Sequence, residues 1–177
     1  NASVSGAGDG IGGLVGYSQS HLIIQDSYAT GNITLTGSNS TADSMGGLIG
    51  NISVSVETAS IKNSYATGRV SGKTNVGGLI GSAQDSGSGT LSVTNTYATG
   101  TVTGSDYAIG GLIGSSEAAA ISKSYATGTI EGQYRLGGLI GIAVANTNIE
   151  ESYATGNVSA TALESNSGAL VGRLSGS

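Results

Sequence analysis

The chain has 177 residues, of which 32 are Gly and 8 are Tyr, and it contains no Pro, Cys, Trp or Phe. With six Lys and Arg and a formal net charge of −5, it lacks the basic stripe that nucleic acid requires and the cationic patch that holds a protein on anionic lipid. The absence of Cys removes disulfides, thiolate nucleophiles and cysteine metal sites together.

Six copies of Gly-Gly/Ala-Leu-Ile/Val-Gly begin at Gly12, Gly46, Gly77, Gly110, Gly137 and Gly168. Between them lie five copies of Ser/Thr-Tyr-Ala-Thr-Gly, beginning at Ser27, Ser64, Thr96, Ser124 and Ser152. Successive motif tyrosines are 37, 32, 28 and 28 residues apart, a period of about one solenoid coil. Motif units therefore run near 12–31, 46–68, 77–100, 110–128 and 137–156, with a partial unit at 168–177, inside one repeat domain spanning 1–177. The regular return of Leu and Ile excludes the disorder that a Gly/Ser/Thr-rich composition would otherwise suggest.

Within the units, short apolar alternations precede each pentapeptide: Leu22/Ile24, Ala59/Ile61, Leu91/Val93, Ala119/Ile121 and Thr147/Ile149. That is the period of a half-buried strand. Tyr97 shares parity with Val93 whereas Val102 does not, so a corner or bulge is expected within Tyr-Ala-Thr-Gly, with Gly supplying unusual backbone angles. Ile109 and Leu112 likewise differ in parity, which puts a second corner at Gly110-Gly111. The expected coil has three short strands and two Gly-assisted bends, and about six such coils form an all-β parallel β-helix, or β-solenoid. Right-handed coiling is the expectation from crossover chirality.

Stacking coils about 4.8 Å apart would line up Tyr28, Tyr65, Tyr97, Tyr125 and Tyr153 in one structural ladder. Thr30, Thr67, Thr99, Thr127 and Thr155 would form a second, and Leu14, Leu48, Leu79, Leu112, Leu139 and Leu170 a core column. Between motifs, residues 32–45 and 82–95 are rich in Ser, Asn, Thr, Asp and Gly, as surface loops are, and are the expected place for any specific ligand.

Gly-Gly-Leu-Ile-Gly followed by Ser-Tyr-Ala-Thr-Gly resembles the GLUG repeat of large bacterial secreted and surface proteins. These include filamentous-haemagglutinin-type adhesins and the region preceding the peptidase of immunoglobulin A1 metalloproteases. The resemblance covers nearly the whole chain and implies a non-enzymatic extracellular or cell-surface stalk or adhesive module, without cofactor or catalytic residue. The zinc motif of those peptidases needs two His, and His21 is the only His here. Ala169 and Ser167 depart from the pattern in the last unit.

Residues 1–6 read like the segments that follow a pentapeptide, and the last Gly motif has no pentapeptide after it. No signal peptide or long apolar run is recognisable, so the chain reads as mature or as a fragment, without membrane insertion. The expected partners are flanking repeats of a longer chain, or the chain itself stacked head-to-tail into a filament through open strand edges. A host or cell-surface glycan or protein is a further expected partner.

Other chemistry is weaker. Loop acids Asp9, Asp43, Asp85 and Asp106 raise calcium binding, but the later counterparts of Asp9 and Asp43 are Thr74, Tyr107, Tyr134 and Ser165. Glu150 and Glu151 are neighbours expected on opposite faces of a strand, a poor acid pair for polysaccharide cleavage. His21 reads as a surface residue. The Thr ladder raises ice binding, although its neighbouring rank of Asn32, Arg69, Thr101, Thr129 and Asn157 is interrupted by Arg69. Glycosylation sequons occur at Asn1, Asn32, Asn39, Asn51 and Asn157.

Overall fold

The computed structural model describes residues 2–19, 21–37, 44–55, 58–85, 87–144, 146–163 and 165–176. Each coil repeats one order of strands, seen in Val76–Gly77, Ile80–Asp85, Thr90–Thr94, Tyr97–Ala98 and Val102–Gly104. Equivalent strands of successive coils pair in parallel, and the five resulting sheets hold six, six, five, five and six strands in that order. The protein is an all-β parallel solenoid of five complete coils among the described residues. Val4–Gly6 precedes them, and Ser167–Gly168 and Val171–Ser175 follow. The sixth unit counted in the sequence is therefore a partial coil of two strands.

A coil has five strands, not three. One of the extra breaks comes, in every coil, from a left-handed residue that parity alone does not reveal. Asp26, Asn63, Asn95, Lys123 and Glu151, each two residues before a motif tyrosine, have φ of 50°, 49°, 53°, 51° and 46°. Asp and Asn tolerate this region better than most residues, and three of the five positions carry one.

This corner, rather than Tyr-Ala-Thr-Gly, is where the inward face changes. Before it, Leu91 and Val93 point inward at 1 % and 0 % exposure; after it, Thr96, Ala98 and Val102 do so at 0 %, 1 % and 0 %. Tyr97 therefore points outward and Ala98 inward. The expectation placed the largest side chain inside, whereas the coil puts the methyl there. The second expected corner does lie at Gly110-Gly111, between strands Tyr107–Gly110 and Ile113–Ser116.

Two apolar columns run along the axis. The larger contains Leu48, Leu79, Leu112 and Leu139 with Ile80, Val93 and Ala98. The smaller contains Ile33, Met45, Val70, Val76, Val102 and Ile109. Burial of each large aliphatic side chain contributes about 1.5–3 kcal/mol, and the columns exist only because coils stack.

Between the columns is a waist where backbones touch. A side chain on Gly77 would collide with the Ile80 carbonyl and with the backbone nitrogen of Gly114 in the next coil. One on Gly81 would collide with the Met45 nitrogen of the preceding coil. The first and last glycines of Gly-Gly-Leu-Ile-Gly are thus required by close backbone approach, and the Leu and Ile between them fill the larger column.

Candidate functional site

The motif residues resolve into inward and outward ladders. Inward, the Ser64 hydroxyl donates to the Lys62 carbonyl at 2.8 Å and accepts from the Ser27 amide at 3.1 Å. Ser124 repeats the arrangement with the Ser122 carbonyl at 2.8 Å and the Thr96 amide at 3.1 Å. These hydroxyls are almost completely buried, and each satisfies backbone groups freed by the left-handed corner.

Outward, Tyr28, Tyr65, Tyr97, Tyr125 and Tyr153 stack in register, with ring centroids 5.1, 4.7, 5.0 and 5.2 Å apart and planes within 6° of parallel. The outermost rings, Tyr28 and Tyr153, are 58 % and 52 % exposed; the inner three are half-buried. Burial pushes the Tyr97 hydroxyl up from its ordinary pKa, with a further contribution from the neighbouring phenols of Tyr65 and Tyr125. Beside this rank, the left-handed residues bond to one another: Asn95 Nδ2 donates to Asn63 Oδ1 at 2.8 Å, and Asn63 Nδ2 to Asp26 Oδ1 at 2.9 Å. The row continues with a long ion pair, Lys123–Glu151 at 3.9 Å, between two exposed side chains.

On the other side of the tyrosines, Thr67, Thr99, Thr127 and Thr155 are exposed and Thr30 is half-buried. In the next outward rank, the Arg69 guanidinium donates to Thr103 Oγ1 at 3.0 Å, and the Arg69 amide donates to Asn32 Oδ1. Arg69 thus bonds across the surface beside the Thr row. Of the leucine column, Leu48, Leu79, Leu112 and Leu139 are fully buried, whereas Leu14 and Leu170 in the outer coils are 51 % and 36 % exposed.

The carboxylates do not converge. No cluster of three His, Cys, Asp or Glu suited to a metal exists among the described residues, and Asp43 lies outside them. Asp85 caps its own turn, accepting from the Gly87 amide at 2.9 Å; Asp9 is exposed and Asp106 half-buried. Glu150 and Glu151 are both exposed rather than on opposite faces, because Glu151 sits at the left-handed corner. Glu150 accepts from Asn148 Nδ2 at 2.8 Å. His21 is exposed. Of the sequon asparagines, Asn32 and Asn157 are exposed, Asn51 has a buried side-chain oxygen, and Asn1 and Asn39 lie outside the described residues.

Sequence reasoning did not single out one feature. Tyr107, Tyr134, Arg135 and Asn166 line a small cleft at the edge of the Gly-Gly sheet. Its signal was visible as aromatic residues in the place occupied by Asp9 and Thr74 in other units. A larger concavity of about 350 Å³ is lined by Gly156, Asn157, Val158, Ser167, Gly168 and Ala169 on the last described coils.

A family model described as the GLUG motif matches residues 105–131 and 132–159. Neither curated proteins nor solved structures give a match.

Proposed function

We propose that this structural repeat module is a rigid, non-enzymatic extracellular or cell-surface spacer of a bacterial protein. The supporting observation is that motif residues are used up by packing. Ser or Thr satisfies the corner, Tyr stacks outside, Ala meets the Gly-Gly bend, and each Gly permits close backbone approach. What remains of the pentapeptide is its Thr, exposed at Thr67, Thr99, Thr127 and Thr155, and a lone hydroxyl per coil supplies no constellation for group transfer. The GLUG match agrees with such a role, since that motif is one of secreted and surface proteins. Under this reading the module holds an adhesive or enzymatic neighbour away from the surface.

A second reading, end-to-end stacking of copies into a filament, rests on the uniform register of successive coils, in which Tyr65 pairs with Tyr28 and Tyr97 alike. One residue opposes it. In each coil a side chain on the second motif Gly would strike a carbonyl of the coil above, as Gly138 would strike that of Ala169. Ala169 carries the methyl that this track excludes, so another coil seated directly over it must shift.

Negative-stain electron microscopy and sedimentation at several concentrations test the proposal: the spacer reading expects monomers throughout. Fibres in the unaltered chain would replace it with the filament reading. Ice binding is the less favoured alternative, because the bulkier Tyr rank stands beside the Thr rank and denies it a flat face. The expected thermal hysteresis is nil; measurable hysteresis abolished by Thr99→Lys would reverse that ranking.

A further inference from the structure

The cleft beside the Gly-Gly sheet is not used by any ladder. Tyr107 and Tyr134 pair in register in adjacent coils and are 37 % and 40 % exposed. Arg135 follows in a left-handed conformation, φ 57°, and its guanidinium carbon lies 5.1 Å from the centre of the Tyr107 ring. Asn166 occupies the place of Arg135 in the next coil, since Leu136 pairs with Ser167. Together the four enclose about 180 Å³.

Three features give this cleft a chemical preference. Arg135 is half-buried and makes no ion pair among the described residues. Its fork of donors therefore has room for a carboxylate from outside. The two Tyr rings offer apolar surface with a hydroxyl at the tip, and the Asn166 amide can both donate and accept. The volume falls below that of usual drug-sized pockets, so it suits one ring rather than a chain of them. Asp106, the residue before Tyr107, makes no ion pair with Arg135; its charge limits how tightly an anion is held.

We propose that this cleft binds a carboxylate-bearing sugar residue, of the uronic acid type. Arg135 holds the carboxylate, Tyr107 and Tyr134 meet the C–H face of the ring, and Asn166 bonds a ring hydroxyl. The site does not depend on whether the module spaces or polymerises, so its failure leaves that question untouched.

The test is an amide-resolved NMR titration of the full chain with galacturonate, galactose and acetate. Galacturonate should shift the resonances of Tyr107, Tyr134, Arg135 and Asn166. Galactose and acetate should each bind about tenfold more weakly, as should galacturonate to Arg135→Gln. Arg135→Lys should retain part of the affinity, and unchanged spectra elsewhere would show that both variants fold. Equal binding of galactose and galacturonate would remove Arg135 from the site. Equal binding of acetate would reduce the cleft to a simple anion site, and shifts spread along the solenoid would overturn it altogether.

Discussion

The Ala98 methyl lies 2.8 Å from the point where a side chain on Gly78 would begin. The same pairing recurs for Ala66 and Gly47, Ala126 and Gly111, and Ala154 and Gly138. One motif thus locks into the other: the pentapeptide needs its Ala because the Gly-Gly bend lies against it. Ala98→Val should overpack this contact and cost about 1–3 kcal/mol, and Gly78→Ala should cost more, because its methyl would also strike the Gly111 carbonyl of the next coil. Denaturant midpoints of the two variants check this; unchanged midpoints would mean that the bend yields without cost.

Tyr97→Ala removes two stacked neighbours, with centroids 4.7 and 5.0 Å away, but the ring faces outward and leaves no core cavity. Aromatic pairs contribute about 0.5–1.5 kcal/mol each, so a loss of about 1–3 kcal/mol is expected. Tyr97→Phe should be nearly neutral at neutral pH. Equal destabilisation by both would show that the hydroxyl, rather than the stack, carries the stability.

Alkali should loosen the ladder from its middle. Tyr97 has a folded-state pKa raised above the ordinary 10.0, by burial first and by the phenols of Tyr65 and Tyr125 second. The unfolded chain releases this proton at lower pH than the folded one. The contribution is therefore fully present below about pH 10 and is lost as pH rises through the folded value. Melting temperatures measured from pH 8 upward should fall in that window, and Tyr97→Phe should fall less steeply.

Ala169→Gly removes the methyl that stands in the carbonyl track. Its expected effect is increased end-to-end association, seen as concentration-dependent sedimentation in the variant and not in the parent. Identical sedimentation would place the obstacle to stacking elsewhere.

The solenoid was legible because period, Leu-Ile columns and Gly pairs all point to one architecture. The register was legible as well: Tyr65 pairs with Tyr28 and Tyr97, and Gly77 with Gly46 and Gly110. The direction of the tyrosines was not. Parity assigns faces only along an unbroken strand, and the left-handed conformation of Asn95 resets it at a position whose residue type varies among the coils. Asp, Asn, Asn, Lys and Glu occupy that corner, so conformation there is imposed by the stacked neighbours more than by local preference. The cleft was hidden for a related reason, because Arg135 and Asn166 are brought together by the coil and not by the chain.

The glycine waist has a mechanical consequence. Two side-chain columns joined by touching backbones give a cross-section broad in one direction and pinched in the other, like a flanged beam. Such a section is stiffer against bending in the plane of its two lobes than across it. A long stalk of these coils would therefore behave as a ribbon with a preferred plane of flexure, and whatever it carries would swing in an arc rather than a cone.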